Sequence, residues 1–493
     1  MDNKPTTSKP LSSSQEVGFV LSVRDFLVYS DGLPSIKINE IVVSETGARG
    51  WVNGLLEDRV QILMIDENNV QPGEMFKRSG KSLDLSVGQH LIGRAINPIG
   101  VPLDGKGPLK KIKADELFEI DQEASGIDKR QFITDQFITG LGVIDTLIPL
   151  GLGQRELVLG DIRSGKGRFL LDVVINQKQT GTVCVYCLIG KATTEVRAIM
   201  DELTASGALS YTVIVAASAN DMAPLNYLAP HSAMTIAQYF QKLGKNVLVI
   251  LDDLGIHAKV HREISLLSDK SPGRESYPGD IFYQHSHLLE RAGRFTAEFG
   301  GGSITVLPAI EINLNDFTTL IPTNIMSMTD GHLLFKSALF SQGIYPSVDI
   351  DLSVSRVGRQ TQNRVQNSLS SKIRNILSQA KSLETLSSFS SELPEETQII
   401  LKQKNILEEF LKQDFRTYLP LSLQTAFLGL ALTNYLKFKP LDVIIRNKMV
   451  FLKGLFEARE FAQITANALK FKSDDELIAK LETVASKFDS LIK

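Results

Sequence analysis

Residues 156–167 read Glu-Leu-Val-Leu-Gly-Asp-Ile-Arg-Ser-Gly-Lys-Gly, an apolar run that breaks into a glycine loop. The spacing Gly160-x4-Gly165-Lys166 is that of a phosphate-binding loop, with Asp161, Ile162, Arg163 and Ser164 between the glycines. In such a loop backbone N–H groups and the positive end of the following helix cradle phosphate oxygens. The lysine reaches the β- and γ-phosphates, and a Ser or Thr after it ligates Mg²⁺. Here Gly167 stands in that place, followed by Arg168. The loop is therefore expected to hold ATP or ADP and to be poorly equipped for hydrolysis. No side chain is assigned as a direct metal ligand.

Two further stretches could serve the same chemistry. Val247–Leu251 is apolar and ends in Asp252-Asp253. A carboxylate at such a strand end orients the water shell of Mg²⁺ in phosphate-loop proteins, although the same pattern also caps helices. Ser353-Val354-Ser355-Arg356-Val357-Gly358 offers an arginine that could neutralise transferring phosphate in a neighbouring subunit. On these residues alone Arg356 reads as an ordinary surface arginine. Among seven histidines, His285 and His287 are two apart with no third ligand nearby. Cys184 and Cys187 lie three apart in an apolar run, facing opposite sides of a strand; they read as buried small residues in a reducing compartment.

The elements that must position these residues follow from pattern. Residues 1–15 are polar and are expected to be a disordered tail. Over 16–88, short β-type runs (18–23, 26–29, 41–43 and 60–65, with 90–96 just beyond) alternate with turns such as Ser30-Asp31-Gly32 and Glu67-Asn68-Asn69, which predicts a small antiparallel barrel. Over 89–362, continuous apolar runs at 157–159, 183–189, 211–216, 247–251 and 303–307 alternate with helical patterns at 195–206, 225–243 and 284–299. That grammar predicts a parallel sheet covered on both faces in a RecA-like nucleotide-binding domain. Over 363–493 the spacing is helical throughout (372–390, 397–412, 421–435, 441–462, 474–492), predicting a helical bundle.

With 493 residues, 43% hydrophobic and 22% charged, the chain has the composition of a multidomain globular protein. A formal net charge of −3 and scattered Phe26, Tyr29 and Trp51 argue against a nucleic-acid binder. The apolar stretch 419–436 is interrupted by Pro420, Gln424, Gly429 and Asn434 and reads as a buried helix pair. The first residues lack the apolar core of a signal peptide. A cytoplasmic location is expected, peripheral on the inner membrane face through partners.

Several stretches resemble, in order, the alpha subunit of F-type ATPases. They are 147–157 leading into the loop, Leu225-Asn226-Tyr227-Leu228-Ala229-Pro230, and Pro272-Gly273-Arg274-Glu275-Ser276-Tyr277-Pro278-Gly279-Asp280, then Ile321-Pro322-Thr323-Asn324 and 352–358. The resemblance is dense from about residue 80 to 365 and elsewhere extends to architecture, since barrel, nucleotide core and helical bundle are the family's three domains. It implies three such chains alternating with three catalytic beta-type chains around a rotating gamma-type shaft. It implies that this chain binds nucleotide without turning it over. It also places Arg356 on the family's arginine finger and Ser353 on a nearby serine needed for activity.

The chain departs from the family loop, Gly-Asp-Arg-Gln-Thr-Gly-Lys-Thr, at Ile162, Arg163, Ser164 and Gly167. Arg163 adds charge near the expected phosphate. Lys191 stands where catalytic chains carry a glutamate, and an ammonium cannot take a proton from water. Gly343-Ile344-Tyr345-Pro346 replaces Gly-Ile-Arg-Pro, removing a charge near the expected pocket. The family's alpha chain begins with a helix that docks the peripheral stalk; here that stretch is short, polar and proline-bearing, so conventional docking is not expected. These departures are similar to those of divergent F-type-like ATPases of wall-less bacteria (mycoplasmas), which are thought of as driving surface machinery such as gliding. The alternatives are the alpha subunit of a conventional proton-translocating ATP synthase, a self-sufficient ATPase, and a hexameric RecA-like nucleic-acid translocase.

Overall fold

The computed structural model describes residues 16–67, 70–110, 116–313, 316–387 and 394–491. The expected tail over 1–15, the turn residues Asn68 and Asn69, and the last residues of two expected helices (388–390 and 492) lie outside them. The chain divides into two compact units: residues up to 129 with 182–310 and 319–328, and residues 130–181 with 311–318 and 329 onward.

The first unit opens with six strands, β1 (Val17–Arg24), β2 (Leu27–Ser30), β3 (Glu40–Ser44), β4 (Arg49–Leu55), β5 (Val60–Met64) and β6 (Met75–Ser82). They close into an antiparallel barrel in the order β1-β2-β5-β4-β3-β6, so no edge is left unpaired. Val20, Val28, Val42, Val52, Ile62 and Phe76 fill its interior. The pattern missed β4 and β6. The first carries Gly50 and Gly54, and a Cβ at Gly50 would stand 2.4 Å from the Ile62 side chain, so close strand approach replaces hydrophobicity there. The second, Met-Phe-Lys-Arg-Ser-Gly-Lys-Ser, is mostly polar. The expected strand at 90–96 is not part of the barrel. Its last two residues, Ala95–Ile96, pair instead with Ile214 and Val215.

In the same unit Val183–Lys191, Thr212–Ser218, Asn246–Asp252 and Ser303–Glu311 (Glu311 itself belongs to the second unit) form a parallel sheet. The strands are buried almost end to end, and helices Thr193–Ala205, Ala223–Lys242 and Leu254–Leu267 connect them. Cys184 and Cys187 are buried free thiols within it. The expected helix at 284–299 ends early, as Ile281–Leu289, because Gly293–Arg294 turns back to pair with Ser303 and Ile304. Arg291 closes this region. It is wholly buried, donating to Gln238 Oε1 (3.1 Å), Thr235 Oγ1 (2.7 Å) and the Ile120 and His231 carbonyls.

The second unit joins a short sheet to the helical domain. Leu157–Gly160 runs parallel to Gly331–Phe335, to which Val354–Ser355 adds antiparallel. Seven α-helices from Arg364–Ser387 to Asp474–Ala485 follow among the described residues. Two predicted helices are each split: 421–435 into Leu421–Ala431 and Asn434–Phe438, and 441–462 at Ala458, whose ψ of 124° is extended. Asp145 ties the helices to the core, accepting from Thr139 N (2.8 Å), Gly140 N (2.9 Å) and Gln424 Nε2 (2.8 Å). Burial still pushes its carboxyl up to about 6. No helix among the described residues is long and apolar enough to cross a membrane.

Candidate nucleotide-binding site

The strand Leu157–Gly160 and the helix Lys166–Asn176 bracket the phosphate loop. The helix buries Phe169, Leu170, Val173 and Val174, and the Phe169 ring lies 4.9 Å from Phe335 on the neighbouring strand. That packing fixes the helix axis and with it the loop. Two residues turn the loop through left-handed backbone, Arg163 (φ 59°) and Gly165 (φ 86°). A Cβ at Gly165 would meet Phe340 at 2.7 Å, so glycine is required twice over.

Lys166, Gly167 and Arg168 form the first turn of the helix, where N–H groups have no partner within the helix. Lys166 Nζ donates to the Gly160 carbonyl (3.1 Å) and pairs with Glu311 (3.3 Å). It is thus folded over the loop and held by a carboxylate that pattern reading did not single out. Glu311 ends an apolar strand, the same signal that marked Asp252. The Ser164 hydroxyl is buried without a hydrogen-bond partner, while its carbonyl accepts from Ser347 Oγ. An orphan hydroxyl among free first-turn N–H groups fits an oxygen-rich anion. Nothing lies within 4 Å of where a Gly167 Cβ would stand. The position has room for a hydroxyl side chain and lacks one. Ile162 is 60% exposed and Arg163 is also exposed.

Beside the first turn opens a cavity of about 500 Å³ within the second unit, lined by Arg168, Tyr345, Gln413, Phe415 and Met449 among others. The Arg168 guanidinium lies 4.6 Å over the Phe415 ring and 6.0 Å from the Tyr345 ring. Tyr345 donates to Asp172 Oδ2 (2.8 Å) and Arg416 N–H donates to Asp172 Oδ1 (2.8 Å). Burial pushes the Asp172 carboxyl up to about 6 despite these donors. Arg168 thus brings a cation to the cavity that Tyr345 lines. A planar group can stack against these rings and the guanidinium.

Arg356 follows the edge strand Val354–Ser355 and is exposed. Its N–H donates to the Asp330 carbonyl (2.8 Å) and its Nη1 reaches the Thr329 carbonyl at 3.5 Å. Beneath it Glu156 is wholly buried and takes a hydrogen bond from Gln154 Nε2 (2.7 Å), which also donates to Ser355 Oγ (3.0 Å). Burial raises the Glu156 carboxyl well above its usual range, opposed by Gln154 and Arg356. Ser353 is buried, its Oγ accepting from Leu334 N–H (2.9 Å), so it secures the strand that carries Arg356.

In the first unit Asp252 is buried at its strand end, with Lys191 Nζ 3.6 Å away. Burial alone would lower the Lys191 pKa, but Asp252, Glu195 and Asp253 raise it above the usual value. Asp253 caps the next helix, accepting from Gly255 N (3.0 Å) and Ile256 N (3.3 Å). Among the described residues no group of three His, Cys, Asp or Glu side chains is arranged to hold a metal ion.

A phosphate loop on a strand-to-helix turn, in a chain that also carries an antiparallel barrel and a helical domain, defines a P-loop nucleotide-binding protein. Residues 140–355 match the ATP synthase alpha/beta family, nucleotide-binding domain, and residues 362–488 match the ATP synthase alpha/beta chain, C terminal domain. The ATP synthase subunit alpha of Petrotoga mobilis is 40% identical over 96% of this chain and 94% of its own. That of Mycoplasmoides gallisepticum is 38% identical over 97% and 92%, and that of Staphylococcus aureus 39% over 88% and 86%. The chain belongs to the ATP synthase alpha/beta family, on its alpha-subunit side.

Proposed function

We propose that this chain is the non-catalytic, nucleotide-binding alpha-type subunit of a rotary F-type ATPase. It alternates with a catalytic beta-type subunit in a hexameric ring around a gamma-type shaft and lends Arg356 to the neighbouring catalytic site. The observation that carries the reading is Gly167, an open position with no oxygen where a metal-binding hydroxyl is required. Lys191 supports it, since a raised-pKa ammonium cannot orient or deprotonate an attacking water.

The residues present fit a nucleotide better than they fit its metal. Loop N–H groups, Lys166 and the Ser164 hydroxyl would hold phosphate oxygens, and Arg168 with Tyr345 and Phe415 would hold the base. Mg²⁺, when bound, neutralises charge on the β- and γ-phosphates; here it would keep water in place of the missing hydroxyl. Arg356, exposed on a braced edge strand, would place a fixed cation against phosphate charge in the partner.

The near-full-length match to synthase alpha subunits favours a proton-translocating synthase as the host complex. A divergent ATPase coupled to surface machinery, with membrane attachment through partners, is the second reading, favoured by the four loop departures. The test of the proposal is the purified chain with ATP and Mg²⁺: it should bind nucleotide and release no phosphate above background. Steady turnover by the pure chain would contradict it. Proton pumping by the assembled complex in vesicles would separate the two hosts.

A further inference from the structure

We propose that an acidic, aromatic-walled cavity in the first unit binds a small organic polycation. The cavity measures about 690 Å³, the size of a small-molecule site. Glu119, Asp121 and Glu123 supply its carboxylates, Trp51, Tyr227 and Tyr283 its walls, and among the described residues no lysine or arginine lines it. Trp51 stacks on Tyr227 at 6.0 Å, and Tyr227 on His231 at 5.4 Å, which makes one continuous aromatic face.

An independent feature marks this cavity as built for an occupant. His231 lines it, is only 2% exposed, and has no hydrogen-bond partner on either ring nitrogen. Its Nδ1 stands 3.7 Å from Asp121 Oδ1, too far for a hydrogen bond, and His287 Nδ1 stands 3.5 Å from the same oxygen. Burial pushes the His231 imidazole down to about 4, so it is neutral near pH 7 and adds no charge against Asp121, which the buried Arg291 guanidinium offsets only from behind the cavity wall. A buried imidazole without a partner is costly unless something supplies one. An amine or guanidinium between Asp121 and the rings would pair the carboxylate, offer a hydrogen to the imidazole and lie over aromatic faces. Three carboxylates call for more than one positive charge. A bare metal ion fits less well, because no set of three ligands among the described residues is arranged for one.

Trp51 is the sole tryptophan of the chain, so its emission reads the cavity directly. Spermidine is titrated into the full-length protein at constant ionic strength, with Mg²⁺ as the inorganic comparison. The expected result is a saturable change in Trp51 emission with spermidine that Mg²⁺ does not reproduce. Asp121→Asn and Glu123→Gln, both at exposed positions, should each raise the half-saturation concentration by about 3- to 10-fold. Their unliganded emission should match the parent, showing the fold intact. A flat titration, an equal response to Mg²⁺, or indifference to both substitutions would overturn the proposal.

Discussion

Lys191 Nζ lies 3.6 Å from Asp252 Oδ1 and 3.8 Å from Glu195 Oε1, so the acidic strand end is neutralised from within its own unit. The ammonium and the Asp252 carboxylate are both largely withdrawn from solvent, their side chains 16% and 8% exposed. Removing one member of such a pair strands the other. Lys191→Met should cost about 2–4 kcal/mol of unfolding free energy. Lys191→Glu should cost more, by adding a like charge. Urea titration of both variants checks this, and unchanged midpoints would contradict the pairing.

Gly167 sits in the first turn of a helix with open space around it. Substitution there meets no steric barrier and removes the backbone freedom that glycine brings to the unfolded chain. Gly167→Ala should therefore stabilise by about 0.5–1 kcal/mol. Gly167→Thr adds the missing hydroxyl and should make nucleotide affinity depend on Mg²⁺ where the parent's hardly does. Equilibrium binding of a fluorescent ATP analogue with and without EDTA reads both. A parent already as Mg²⁺-dependent as the threonine variant would contradict the role given to Gly167.

Acid should act oppositely on two sets of helices. Burial lowers His231 from 6.5 to about 4 and His285 to about 3, and His257 falls too. Their native state binds fewer protons than the unfolded chain, so their contribution is complete above pH 6.5 and is lost as pH falls toward 4. Burial raises Asp145 and Asp172 from 3.8 to about 6, so their contribution is present below 3.8 and lost as pH rises through 6. Between pH 7 and 5, hydrogen exchange corrected for intrinsic rates should speed up in Ala223–Lys242, Leu254–Leu267 and Ile281–Leu289. Gly142–Leu147 and Lys166–Asn176 should hold or slow. Uniform acceleration would contradict the assignment.

What the sequence made legible was whatever depends on local pattern. The apolar runs before Gly160 and Asp252, the loop spacing and the helical C-terminal region all report in a window of a few residues. Strands β4 and β6 escaped because barrel closure, and not their own hydrophobicity, pairs them. The helix after His285 was overextended because the return of Gly293–Arg294 to the sheet is a long-range event. The partners of site residues were equally hidden. Glu311 at Lys166, Asp172 at Tyr345 and Gln154 at Glu156 are contacts set by packing, and spacing carries no record of them. The cation that Arg168 places over the Phe415 and Tyr345 rings is likewise a product of packing.

If chemistry happens in the partner and this chain lends Arg356 to it, loss of that side chain must be felt in turnover. The most direct measurement is ATP hydrolysis by the complex assembled with the catalytic subunit, comparing Arg356→Ala with Lys166→Ala. Arg356→Ala should lose about 10³-fold or more, and Lys166→Ala should change little. Abolition by Lys166→Ala with near-normal turnover in Arg356→Ala would instead make this chain the catalytic one.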